Sequence, residues 1–148
     1  MPELSRYLFQ LGAVPFLVLG ALHAWHTPTR TTERKGLSPR DQGLAEAMSR
    51  TTPRLTERTD IWRAWVGFNY SHSLGAVLFG LFVVLIGRNA ESYALNAALA
   101  TPLALVLSLC YLVVGLKFWF RTPIIGVGVS VGCFAAAWML LALGGAPA

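Results

Sequence analysis

The sequence predicts an all-α protein that crosses a membrane four times. Only 19 of its 148 residues are Asp, Glu, Lys or Arg, and the mean hydropathy is +0.55. A soluble domain is usually about a quarter charged, so this composition disfavours a soluble fold. The charges leave four uncharged blocks of 23, 24, 25 and 27 residues, at 7–29, 64–87, 92–116 and 122–148. Each block is longer than the roughly 20 helical residues that cross a hydrocarbon core.

The distribution of Lys and Arg predicts the orientation. The first loop carries eight basic residues and the third loop two, whereas the opposite side carries only Arg6 and Arg88. The positive-inside rule therefore places the first and third loops in the cytoplasm and both termini on the opposite side of the membrane. The net charge of +5 is thus a topology signal, and we expect the lipid bilayer, and no nucleic acid, as a partner.

The first span is predicted at residues 7–26, with Pro15 inside it, and is expected to remain as an anchor because it is long for a signal peptide. A cytoplasmic loop follows over residues 27–59. Ser38 as N-cap, Pro39 at the first helical position and Asp41 in the first turn predict a short amphipathic helix there. Thr56 and Thr59 are alternative caps for the second span.

The remaining spans follow closely, and residues 1–148 are expected to form a single transmembrane domain. The second span is predicted at 60–87, the third at 93–120 with Asn89 or Ser92 as its cap, and the fourth at 123–144. The fourth carries small residues at intervals of four, which suits close helix packing, either inside the chain or in a dimer. These residues are Gly128, Gly132 and Ala136.

The strongest candidate site lies at the cytoplasmic end of the second span. Trp62, Trp65, Asn69 and His72 are separated by three, four and three residues and so share one helix face. Because a lipid-facing Asn or His is costly, this face is expected to line a polar pocket. Other polar residues at a comparable depth complete the candidate set: His23, His26, Arg63 and Lys117.

Several chemistries would fit such a pocket. The plainest interpretation is structural, with interhelical hydrogen bonds worth about 1 kcal/mol each. A metal site is disfavoured because the four uncharged blocks contain no carboxylate, and the nearest acids, Asp60 and Glu57, precede the second block. A b-type haem between His23 and His72 is a weaker alternative, and acid/base chemistry at His72 beside Asn69 is another.

The stretch from Trp62 to Gly75 reads W-R-A-W-x-G-F-N-x-S-H-S-x-G, with Val66, Tyr70 and Leu74 at the open positions. In this stretch the chain resembles an uncharacterised family of small bacterial four-helix integral membrane proteins. The resemblance implies a multi-pass protein of the bacterial inner membrane and brings no activity with it.

These observations favour a non-catalytic role. The protein is expected to be an accessory subunit of a larger membrane complex, or a homo-oligomer, or to bind a small hydrophobic ligand. The alternative is a membrane enzyme or redox protein that acts on a lipid, quinone or haem through His72 and His23. The usual motifs of phosphoryl transfer, serine hydrolysis and zinc proteases do not occur in the sequence.

Overall fold

A computed structural model describes residues 2–144, and these residues form five α-helices and no strand. The helices are α1 (Pro2–His26), α2 (Gln42–Arg50), α3 (Ile61–Gly87), α4 (Ala90–Phe118) and α5 (Arg121–Leu143). All except α2 are long and apolar enough to cross a membrane. The all-α, four-span fold is therefore confirmed. Residue 1 and residues 145–148 of the expected domain lie outside the described part.

Helix α1 begins five residues before the predicted start at residue 7. The charged residues there are accommodated because Arg6 forms an ion pair with Glu3, at 2.6 Å between Nη2 and Oε2. The Arg6 side chain is only 12% exposed, and its Nη1 donates to the carbonyl oxygen of Gly87 at 3.1 Å. A cation is favourable at this position, where α3 ends with unpaired carbonyl groups.

The predicted caps of α2 and α3 need correction. Asp41, and not Ser38, caps α2, because its carboxylate accepts from the Gly43 amide at 2.8 Å. Ser38 instead closes the preceding turn by donating to the carbonyl oxygen of Glu33. At the start of α3, Asp60 replaces the predicted Thr56 or Thr59 and accepts from the Arg63 amide at 2.8 Å.

The described residues divide into two compact units. The first contains residues 2–19 of α1, residues 76–87 of α3, and all of α4 and α5. Helix α1 contacts the other three there. Phe9 packs against Tyr93 of α4 and Phe134 of α5, at ring-centroid distances of 5.3 and 5.7 Å, and Phe16 packs against Phe79 of α3 at 4.7 Å. The first unit is therefore a four-helix bundle.

Glycines allow the close approach of helices in this bundle. A Cβ atom on Gly12 would lie 2.7 Å from the Phe134 ring, and one on Gly126 would lie 2.7 Å from Leu19. The predicted small-residue face of α5 behaves differently. A Cβ atom on Gly128 or Gly132 would meet no atom within 4 Å, so these two glycines do not serve close packing within the described chain.

The second unit, Gly20–Gly75, contains the end of α1, the long loop with α2, and the start of α3. The Leu37 amide donates to the carbonyl oxygen of His26 at 3.1 Å, and the Trp62 indole donates to the carbonyl oxygen of Thr29 at 3.4 Å. Ala45 is the buried residue of α2. These contacts give the loop a defined path between the two spans.

Candidate functional site

Asn69 lies at the centre of the polar site in the second unit. Its side chain is almost fully buried, at 7% exposure, and its Nδ2 donates to the Trp65 carbonyl oxygen at 2.8 Å. Its Oδ1 lies 2.8 Å from Nε2 of His23. Because an amide oxygen can only accept, His23 must donate through a protonated Nε2. Asn69 thus joins α3 to α1 and selects the protonation state of one ring nitrogen.

His72 extends this arrangement. Its ring lies in edge-to-face contact with His23, at a centroid distance of 5.1 Å, and it stacks on Phe68 at 6.2 Å. Both histidines are half-buried. His23, Asn69 and His72 therefore form one contiguous group, which we name the His–Asn cluster.

Two tryptophans continue the same face of α3 toward the loop. Trp62 is buried, and its ring lies 5.3 Å from that of Trp65. The Trp65 carbonyl oxygen accepts a hydrogen bond from the Asn69 side chain, which adds a side-chain bond to the backbone bonds of this helical turn. The predicted face thus runs through Trp62, Trp65 and Asn69 to His72.

His26 and Arg63 contact residues outside the cluster, and Lys117 belongs to the first unit. The ring of His26 packs beside Gly36, where an added Cβ would lie 2.8 Å from Nδ1. The Arg63 side chain is exposed, with its Nε 3.4 Å from an Asp60 carboxylate oxygen. Lys117 is exposed in the last turn of α4, in the first unit.

The cluster suits hydrogen bonding better than metal or haem binding. Within the described residues, no three His, Cys, Asp or Glu side chains come close enough together to hold a metal ion. The two axial imidazoles of a haem bind its iron from opposite faces of the ring. His23 and His72 instead contact each other, and Nε2 of His23 already bonds to Asn69, so these residues as arranged do not fit a haem.

Sequence reasoning missed a second candidate site, in the first unit. A groove of about 460 Å³ opens between α3 and α4, with Phe9 of α1 among its lining residues. The lining is almost wholly apolar, and we name it the α3–α4 groove: Phe9, Phe79, Phe82, Val83, Ile86, Asn96, Leu99, Ala100, Leu103, Ala104 and Leu107.

Asn96 is the one amide in the lining of the α3–α4 groove. Its Nδ2 donates to the carbonyl oxygen of Ser92, one turn earlier, at 2.8 Å. Asn96 was also a signal in the sequence for this site, since it is an amide within a mostly apolar span.

Comparisons with family models, curated proteins and solved structures found no match. The resemblance carried by residues 62–75 therefore stays a prediction.

Proposed function

We propose that this small membrane protein binds a hydrophobic ligand in the α3–α4 groove and has no catalytic activity of its own. The observation that carries the proposal is the groove itself. Its volume of about 460 Å³ falls within the roughly 300–1,000 Å³ of small-molecule sites. Its lining offers the apolar surface that such ligands bury.

The shape of the lining suggests a chain-like ligand. The α4 residues that line the groove run from Asn96 to Leu107, which is about 16 Å along a helix at 1.5 Å per residue. Side chains from α3 form the other wall, with Phe79 and Phe82 contributing broad aromatic surfaces. A hydrocarbon chain lying along α4 would fill this space.

Asn96 supports a ligand with one polar end. Its amide nitrogen donates one N–H to the Ser92 carbonyl oxygen, which leaves the carbonyl oxygen and the second N–H of Asn96 for a ligand. Asn96 lies near the start of α4, so the polar end of the ligand would lie toward the beginning of that span. We therefore propose an acyl or isoprenoid chain that ends in a polar group able to hydrogen-bond with an amide, such as a hydroxyl.

The test is the lipid that co-purifies with the protein from its native membrane, measured by mass spectrometry after mild detergent extraction. We expect one retained species that is enriched over bulk lipid. Ala100→Phe fills the groove and should abolish the enrichment, whereas Ala98→Phe adds the same ring at an exposed position outside the lining and should preserve it. Equal enrichment in both variants would refute the groove as the site.

A second candidate is chemistry at the His–Asn cluster on a lipid or quinone. The observation that favours it is the contact between the two half-buried imidazoles, since histidine exchanges protons near neutral pH. Turnover lost in both His23→Ala and His72→Ala, with the fold intact, would establish it. An absorbance band of bound haem that disappeared in the same two variants would support a redox role despite the present ring geometry.

A role as an accessory subunit or homo-oligomer would use lipid-facing helix surfaces, and the open positions at Gly128 and Gly132 suit such a contact. Migration of the chain as a monomer after mild extraction would oppose that role.

We propose the bacterial inner membrane as the location on the basis of the sequence resemblance, and periplasmic termini on the basis of the charge distribution. A reporter fused after Ala148 tests the orientation.

A further inference from the structure

A compact loop precedes α3 in the second unit. Its ends are joined, because the Ile61 amide donates to the Thr51 carbonyl oxygen at 2.8 Å. Inside it, the Thr56 amide donates to the carbonyl oxygen of Pro53, and the Arg58 amide donates to the hydroxyl oxygen of Thr56. We name residues 51–61 the Leu55 loop. Such closed, self-bonded loops of 6–16 residues hold a defined shape.

The tip of the Leu55 loop has an unusual surface. Leu55 is 95% exposed, the most exposed large apolar side chain among the described residues. Arg54 precedes it and Arg58 follows three residues later, both exposed and both without an ion pair in the described part of the chain. Leu55 is therefore exposed between two arginines that have no ion pair in the described part of the chain.

The other charges of the second unit also leave more arginines than acidic residues without an ion pair. Glu33, Glu46 and Asp60 pair with Lys35, Arg50 and Arg63, and Asp41 caps α2. Glu57 is the acidic residue within the Leu55 loop that has no ion pair. The exposed arginines without an ion pair outnumber it: Arg30, Arg34, Arg40, Arg54 and Arg58.

We propose that the Leu55 loop docks on the surface of the surrounding bilayer, with Arg54 and Arg58 on anionic lipid phosphates and Leu55 inserted between the headgroups. The loop leads directly into α3 at Ile61, and α1 and α3 are both candidate spans. His23 near the end of α1 contacts Asn69 near the start of α3, so the loop lies at the end of this helix pair, where a bilayer surface would be.

The charge and the apolar tip match this partner. Each Lys or Arg near an anionic leaflet contributes about 1 kcal/mol of attraction, which for two arginines is roughly a 30-fold shift toward the docked form. Arginine also binds phosphate oxygens with a pair of parallel hydrogen bonds. Leu55 would exchange water for acyl chain, which is favourable for an exposed aliphatic side chain.

The experiment uses the full-length protein with an environment-sensitive dye on Thr52→Cys, in a background of Cys110→Ala and Cys133→Ala. Thr52 is exposed within the loop. The protein is placed in nanodiscs of phosphatidylcholine, or of phosphatidylcholine mixed with phosphatidylglycerol. In the anionic discs we expect a blue-shifted emission and severalfold weaker quenching by acrylamide, a neutral quencher. High salt should reverse both changes.

Variants separate the two parts of the proposal. Arg54→Gln with Arg58→Gln should abolish the response to anionic lipid, and Leu55→Ser should remove the blue shift. Arg88→Gln with Arg121→Gln removes the same charge outside the loop and should leave the response intact. Circular dichroism and elution volume must match the parent in every variant. Equal quenching in both lipid mixtures, or an equal loss of response in both double variants, would overturn the proposal.

Discussion

Nε2 of His23 and Oδ1 of Asn69 lie 2.8 Å apart and join the end of α1 to the start of α3 within an apolar span. Replacing Asn69 by Leu would leave the half-buried His23 donor without this partner. We expect Asn69→Leu to lower the free energy of unfolding by about 1–2 kcal/mol. Unfolding by SDS in mixed micelles measures this change.

Asn96 provides the matched control for this prediction. It also lies in a span, but its amide nitrogen bonds to Ser92 within its own helix, and its side chain is exposed. Asn96→Leu should therefore change the stability of the lipid-free protein by less than about 0.5 kcal/mol. A loss of stability equal to that of Asn69→Leu would mean that the contact between Asn69 and His23 contributes no additional stability.

Gly12 has no room for a side chain. A Cβ atom there would lie 2.7 Å from Phe134, a ring with 0% exposure that packs against Phe9 and cannot swing away. We expect Gly12→Ala to lower the free energy of unfolding by roughly 1–3 kcal/mol through overpacking. Gly128→Ala adds the same methyl group in open space and should be neutral or slightly stabilising. Equal effects of the two substitutions would contradict the close packing of α1 against α5.

The hydroxyl groups of Ser5 and Tyr93 lie 2.6 Å apart and are both buried. Tyr93→Phe should lower the stability by about 1 kcal/mol, because Ser5 keeps its bond to the Ala137 carbonyl oxygen and Thr101 loses only a long contact of 3.5 Å. Ser5→Ala removes both bonds of the Ser5 hydroxyl and should lower the stability by more, about 1–3 kcal/mol. The double variant is expected to lose less than the two single losses combined, and strict additivity would show that the two hydroxyls are not coupled.

The stability of the long loop should depend on pH through Glu33. Hydrogen bonds from the Thr29 amide and hydroxyl, at 3.1 and 2.8 Å, hold the pKa of the Glu33 carboxyl below its usual value of 4.5, and Lys35 lowers this pKa further. Since the folded-state pKa is depressed, the stabilisation is present above about pH 4.5 and is lost as the pH falls through the folded pKa. Carboxyl NMR titration measures this value.

Thr29→Val removes the hydroxyl donor and keeps the backbone amide. The pKa of Glu33 should therefore rise toward 4.5 in this variant without reaching it, because the amide and Lys35 still favour the carboxylate. An unchanged titration would show that the Thr29 hydroxyl does not contact Glu33 in solution.

The sequence predicted the spans because charge is decisive in a membrane, and it predicted the face of Asn69 and His72 because helical spacing is regular. Prediction from the sequence was less successful where the regular helical spacing ends. His26 is one turn from His23, but α1 ends at His26 and the ring packs beside Gly36 of the loop. The predicted helix caps were wrong for a related reason. Ser, Thr and Asp are all acceptable N-caps, and only the path of the chain selects Asp60.

The α3–α4 groove illustrates a different limit. A Leu that lines a groove and a Leu that faces lipid have the same hydrophobicity, so no pattern separates Leu103 from its neighbours. Only Asn96 stood out chemically. Finding the groove required the relative placement of two helices, which depends on side-chain packing over many residues.

The central position of α1 has a consequence for biosynthesis. Ser5 donates to Ala137, which is 132 positions away, and Arg6 donates to Gly87, which is 81 positions away. Because α1 is synthesised before α3 and α5, Arg6 gains its partner only after α3 has been made, and Ser5 gains its partner only after α5 has been made. A nascent chain that stops before α5 would hold an incomplete bundle, and such chains should be preferred targets of membrane proteases.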